Sequence, residues 1–119
     1  TVDKMSILGD VKGKDVYIVD DMICTGGTLV KALEETKNMG AKKVIAVCTH
    51  ALFNGPAVER FQEAYDKGYL DLVIGTDSTY HSKEFMKSAK WFKEVSIASY
   101  FAETISRVNQ RKSITDLFD

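Results

Sequence analysis

Cysteine and histidine are scarce, with two of each in 119 residues. Cys24 and Cys48 have no CxxC spacing and no histidine-rich neighbourhood, which argues against a zinc site and a disulfide framework and fits a reducing, cytoplasmic setting. No metal site is expected from these residues. Charge of one sign is also lacking: 16 basic and 17 acidic side chains leave a formal charge of -1. That balance has none of the basic footprint of a nucleic-acid binder, so no nucleic-acid partner is expected. No apolar run approaches the roughly 18 residues that cross a bilayer, and the N-terminus has neither a charged leader nor a hydrophobic signal core. A soluble chain without a membrane partner is expected. There is no internal repeat, low-complexity tract or linker.

What remains is an ordinary apolar share, 45%. A chain of this length usually builds one core, burying about two thirds of the surface its unfolded form exposes. A single domain over residues 1–119 is therefore expected. Because the chain starts at Thr1 rather than at methionine, its start is read as a boundary and not as a natural beginning.

Short apolar runs alternate with amphipathic stretches. Val16, Tyr17, Ile18 and Val19 are β-branched or aromatic and follow the turn chemistry of Gly9, Asp10 and Gly13, so they read as a strand. Over 28–39, Leu29, Ala32, Leu33, Thr36 and Met39 recur at helical spacing, and Gly40 stands where a left-handed C-terminal cap belongs. The continuous apolar run 44–48 predicts a strand covered on both faces. Pro56, the one proline, suits a first helical turn. Val58, Phe61, Ala64 and Tyr65 mark a second helix that closes near Gly68. A third strand is expected at 72–74 and a fourth at 94–97, with a short helix or a loop at 82–90 between them. A last helix near 99–110 turns Ala98, Phe101, Ala102, Ile105 and Val108 to one side. Strand–helix alternation implies parallel pairing through right-handed crossovers, hence a doubly wound, mainly parallel α/β sheet. Ligands of such sheets bind beyond the C-terminal strand ends, which directs attention to 20–28, 49–55 and 76–79.

The informative segment is Val19-Asp20-Asp21-Met22-Ile23-Cys24-Thr25-Gly26-Gly27-Thr28. Gly26 and Gly27 let the backbone approach a ligand, and the amides and dipole of the helix start favour a phosphate. Thr25 and Thr28 add hydroxyl donors. Asp20 and Asp21 would repel a phosphate, but as acceptors they suit the hydroxyls of a sugar. One loop thus offers a phosphate cradle and a diol clamp, the two halves of a sugar phosphate. A TGGT turn alone would be compatible with an ordinary helix start. The lysine of a Walker loop and the GxGxxG spacing are both missing. The sequence strand, Asp-Asp, two apolar spacers, Thr-Gly-Gly-Thr, helix is far more specific than its parts.

Residues 19–28 resemble the phosphoribosyl-diphosphate (PRPP) binding signature of the type I phosphoribosyltransferase fold. The Gly9-to-Lys14 turn, Gly40-Ala41-Lys42, the THALFNGPA segment over 49–57 and the closing SITDLF over 113–118 are similar to the C-terminal portion of the ribose-phosphate pyrophosphokinase family. The resemblance covers nearly the whole chain. It implies half of a two-domain transferase that moves the diphosphoryl group of ATP, with Mg2+, to the anomeric hydroxyl of ribose 5-phosphate, giving PRPP and AMP. It further implies that Asp20 and Asp21 hold the ribose 2- and 3-hydroxyls, and that Thr25, Gly26, Gly27 and Thr28 bind the 5-phosphate. Cys24 stands in the same loop where the signature often has aspartate; it reads as a small filler and disfavours a purine-salvage transferase.

The family's catalytic Lys/Arg segment is expected upstream of Thr1, and its ATP and magnesium residues mostly in an N-terminal domain. No catalytic residue is therefore assigned within 1–119, and the chain alone is expected to bind ribose 5-phosphate weakly without making product. Assembly as a homo-oligomer is a family expectation. A non-catalytic regulatory relative and another type I phosphoribosyltransferase are the alternatives; the intact acidic pair weighs against the first, and Cys24 with the C-terminal motif against the second. Among other residues, His50 reads as a structural hydrogen-bonder and His81 as a surface residue. Asp77 and Ser78 either approach the ligand or cap a loop. Trp91 and Phe92 read as packing, and Ser113 and Thr115 as a helix-terminal turn, although they match a family effector segment.

Overall fold

Alternation of β-branched residues and amphipathic runs yields four parallel strands with helices between them. The computed structural model describes residues 10–97 together with Glu103, Ser106 and Gln110. The elements run β1 (Asp15–Ile23), α1 (Gly27–Asn38), β2 (Lys43–Ala51), α2 (Ala57–Asp66), β3 (Leu72–Thr76), α3 (Lys83–Ser88) and β4 (Phe92–Val95). Strand order is β1-β2-β3-β4, all parallel. Val16 lies opposite Val44, Ala46 opposite Val73, and Val73 opposite Phe92. The parallel α/β architecture expected from the alternation is present. The described strands follow one another in chain order, and α1 and α2 pack against each other.

That face carries the core. Val44, Ala46 and Cys48 of β2 and Val73 of β3 are buried beneath Leu29 and Leu33 of α1 and Phe61 and Ala64 of α2. The alternate positions Ile45, Val47, Leu72 and Ile74 are half-buried, so the β2 run is covered fully on one face only among the described residues. On β1, Tyr17 and Val19 are 60% and 77% exposed. Gly40 has φ 97° and its carbonyl accepts from the Gly13 amide at 2.8 Å, the left-handed cap that the sequence required.

Two boundaries differ from expectation. β1 continues through Asp20 and Asp21 to Ile23, because the ladder to β2 extends to Ala51. The fourth strand occupies Phe92–Val95 rather than 94–97. Phe92, buried opposite Val73, starts it, and the Asp77 carboxylate ends it by accepting the Ile97 amide at 2.9 Å and the Ser96 hydroxyl at 2.7 Å. Of the helix-or-loop alternatives for 82–90, the helix forms, with the Ser82 hydroxyl accepting from the Phe85 amide as N-cap. Glu103 and Ser106 are helical, as expected of the last helix, while Ala98, Phe101, Ala102, Ile105, Val108, Ser113 and Thr115 lie outside the described residues. No helix among the described residues is long and apolar enough to cross a membrane.

Candidate functional site

The loop between β1 and α1 turns on Gly26, which caps α1 at φ 77°, a left-handed conformation that costs other residues about 1–2 kcal/mol. A Cβ at Gly26 would also lie 2.5 Å from Phe61 Cε2. Helix α2 therefore presses on the turn from beneath. The preceding residue of α2, the exposed Arg60, donates from Nη1 to the Thr25 carbonyl at 3.0 Å, and a Cβ at Gly27 would meet that same nitrogen at 3.0 Å.

Every carbonyl from Ile23 to Gly26 is held. Ile23 accepts from the Leu52 and Phe53 amides at 2.9 and 3.2 Å, Cys24 from the Asn54 amide at 2.8 Å, Thr25 from Arg60, and Gly26 from the Val30 amide at 2.9 Å. Among the described residues, none of the amides of Thr25, Gly26, Gly27, Thr28 and Leu29 donates to a protein acceptor. With its carbonyls committed to one side, the loop offers bare N–H groups at a helix start, the arrangement that binds oxyanions. α1 has no side-chain N-cap competing for them.

Asp20 and Asp21 enter this site from the end of β1, both exposed. Asp20 accepts the Asp21 amide at 2.7 Å. Asp20 lies opposite Cys48 in the ladder, and burial first, then the Asp20 charge, pushes the Cys48 thiol up to about 11. Cys24 is exposed on the turn. A cleft of about 320 Å³ runs from Asp20 past Cys24, Thr25, Gly26 and Thr28 to Leu29, so six of the seven residues singled out in the sequence line one concavity; Asp21, the next residue of β1, does not line it, because successive strand side chains point to opposite faces. A larger cleft of about 640 Å³ lies elsewhere, lined by Asp77, Tyr80, His81, Lys87 and Glu94 among others. The smaller one is the better site, because bare amides and the Asp20 carboxylate meet there, whereas Asp77 and Glu94 of the larger cleft are hydrogen-bonded to Ser96, Ile97 and His81. Among the described residues no group of three or more His, Cys, Asp or Glu side chains is placed to hold a metal ion.

The other ligand-side residues are structural. His50 Nδ1 is 2.9 Å from Ser78 Oγ, whose hydroxyl donates to the Thr49 carbonyl at 3.0 Å. Asp77 and Ser78 cap their loop, and hydrogen bonds from Ile97 first and Ser96 second hold the Asp77 carboxyl below its usual range. The surface expectation for His81 is wrong: its side chain is 4% exposed, with Nδ1 2.6 Å from Glu94 Oε1 and Nε2 2.7 Å from the Ala51 carbonyl. It is drawn in by Phe53 and Phe92, whose ring centroids lie 5.9 and 4.8 Å from its own. Trp91 and Phe92 pack as expected. Sequence reasoning missed Arg60 and the amides of Leu52, Phe53 and Asn54. The THALFNGPA motif marked their neighbourhood, but nothing in local spacing links them to a turn some thirty positions earlier.

A family model described as a phosphoribosyl synthetase-associated domain matches residues 2–119. Ribose-phosphate pyrophosphokinase from Vibrio cholerae is 44% identical over 115 residues, covering 97% of this chain and 35% of that protein. The Campylobacter jejuni protein of the same name is 46% identical over 114 residues, 96% of this chain and 34% of its own length. The crystal structure of phosphoribosylpyrophosphate synthetase from Mycobacterium smegmatis superimposes with a TM-score of 0.75 at 36% identity, covering 87% of this chain and 33% of that one. The chain thus spans about a third of the length of the curated relatives it matches.

Proposed function

We propose, since this chain belongs to the phosphoribosyl synthetase-associated domain family, that it is the sugar-phosphate-binding domain of a ribose-phosphate diphosphokinase. The observation that supports this reading is the pairing, in one cleft, of unpaired amides at the start of α1 with the Asp20 carboxylate, Asp21 following it in β1. The 5-phosphate of ribose 5-phosphate lies on the amides and hydroxyls of Thr25, Gly26, Gly27 and Thr28, next to Cys24. Asp20 and Asp21 accept from the 2- and 3-hydroxyls. Held at both ends, the sugar presents its C1 hydroxyl in a fixed direction to the diphosphoryl group of ATP, and PRPP and AMP result. The contribution of these residues is positioning, the main source of rate in phosphoryl transfer.

The groups that act on ATP lie outside residues 1–119 in this reading. Magnesium accompanying ATP would neutralise phosphate charge. Residues 1–119 act as one domain, the complete enzyme being a cytoplasmic homo-oligomer.

Calorimetry with ribose 5-phosphate tests the reading. The wild-type chain should bind, Asp20→Asn and Asp21→Asn should each weaken binding roughly tenfold through a lost charged hydrogen bond, and Gly27→Val should abolish it. Equal affinity in all four chains would show that the ligand sits elsewhere.

A further inference from the structure

We infer that Arg60 is a positioning residue for the phosphate-binding loop, holding the Thr25 carbonyl back so that the neighbouring amides face the ligand. The inference rests on the sugar-phosphate reading and extends it to a residue outside the loop. Among the described residues Arg60 is the one side chain that takes a carbonyl of the 23–26 turn; the other three carbonyls are taken by backbone amides. A backbone donor is fixed by the fold, whereas this one can be removed. The Thr25 carbonyl and the amide of the left-handed Gly26 belong to one peptide plane, so holding the carbonyl decides which way the Gly26 amide points.

The guanidinium has a second contact. Its Nη1 and Cζ lie 3.0 and 3.6 Å from where a Cβ on Gly27 would be. Gly27 does not share the left-handed φ of Gly26, so its backbone tolerates alanine, and what stands against a side chain there is Arg60. The glycine at 27 and the arginine at 60 are therefore coupled: the missing Cβ gives the guanidinium its path to the Thr25 carbonyl.

The test uses the 119-residue chain, ribose 5-phosphate calorimetry and thermal melting of wild type, R60A, R60K, G27A and G27A/R60A, with D20N as a reference for the site. R60A should lose about tenfold in affinity with an unchanged melting temperature, because Arg60 is exposed. R60K, which keeps the charge and one donor, should recover part of that loss. G27A should weaken binding at least about twofold when Arg60 is present, and should add nothing to R60A, since the residue it displaces is gone. If D20N weakens binding while R60A matches the wild type, the role of Arg60 is overturned and the sugar-phosphate reading stands. Additive losses in G27A/R60A, or an R60A loss that tracks a lowered melting temperature and is not relieved by R60K, overturn it as well. Failure of the wild type itself to bind ends both.

Discussion

At Gly26 two independent requirements fall on one residue. The backbone is left-handed, and a methyl group would overlap the Phe61 ring at 2.5 Å. Gly26→Ala therefore meets a strained φ and a core aromatic that cannot yield, and should cost about 1–3 kcal/mol in urea unfolding while removing ribose 5-phosphate binding. Full stability in that variant would mean the turn adjusts freely. The two thiols differ in the same local way. Cys24 is exposed and should react with Ellman's reagent at neutral pH within the first kinetic phase, whereas Cys48, 3% exposed and pushed up to about 11 from an ordinary 9.0, should react only slowly. The linkage has a definite sign. The folded chain keeps the Cys48 proton where the unfolded chain has lost it, so this contribution to stability is complete below pH about 9 and disappears as pH rises through about 11. Cys48→Ala should flatten that alkaline slope in pH-dependent unfolding; an unchanged slope would assign it to other groups.

At the level of elements, the loop's geometry is imposed by the segment that follows β2. Phe53 sits at φ 49°, an uncommon conformation for an aromatic residue. It is held there by edge contacts to Phe61, Trp91 and Phe92 at centroid distances of 5.7, 5.5 and 5.1 Å. In that position the Leu52, Phe53 and Asn54 amides reach the Ile23 and Cys24 carbonyls. His81 locks the same segment through the Ala51 carbonyl and ties it to β4 through Glu94. His81→Ala should lower unfolding free energy by about 1–3 kcal/mol, since it leaves a buried carbonyl without its donor; a change within the noise of denaturant titration would make the contact incidental. Helices and strands with a strong period were legible in the sequence, as α1 and β2 show. Phe92 was not, because one apolar residue after a turn has no period, and its role depends on pairing with Val73 nineteen positions earlier. His81 was missed for the same reason: its partners come from two other strands.

Across the whole molecule, the division between what could and could not be read follows contact range. Asp20, Asp21 and the Thr-Gly-Gly-Thr turn lie within nine residues of one another, so their donor and acceptor types could be read directly from the sequence. The supports, Arg60 and the amides of 52–54, are distant in sequence and became visible only when α2 was seen packed beneath the turn. The matched relatives extend about three times as far as this chain. The central claim is where the sugar phosphate sits, and the two clefts give it competing locations. Amide chemical-shift mapping of the 15N-labelled chain during a ribose 5-phosphate titration tests it most directly. Saturable shifts centred on Thr25, Gly26, Gly27, Thr28 and Leu29, much smaller with ribose alone, are the predicted result; shifts centred on Tyr80, His81 and Lys87, or none at all, would contradict it.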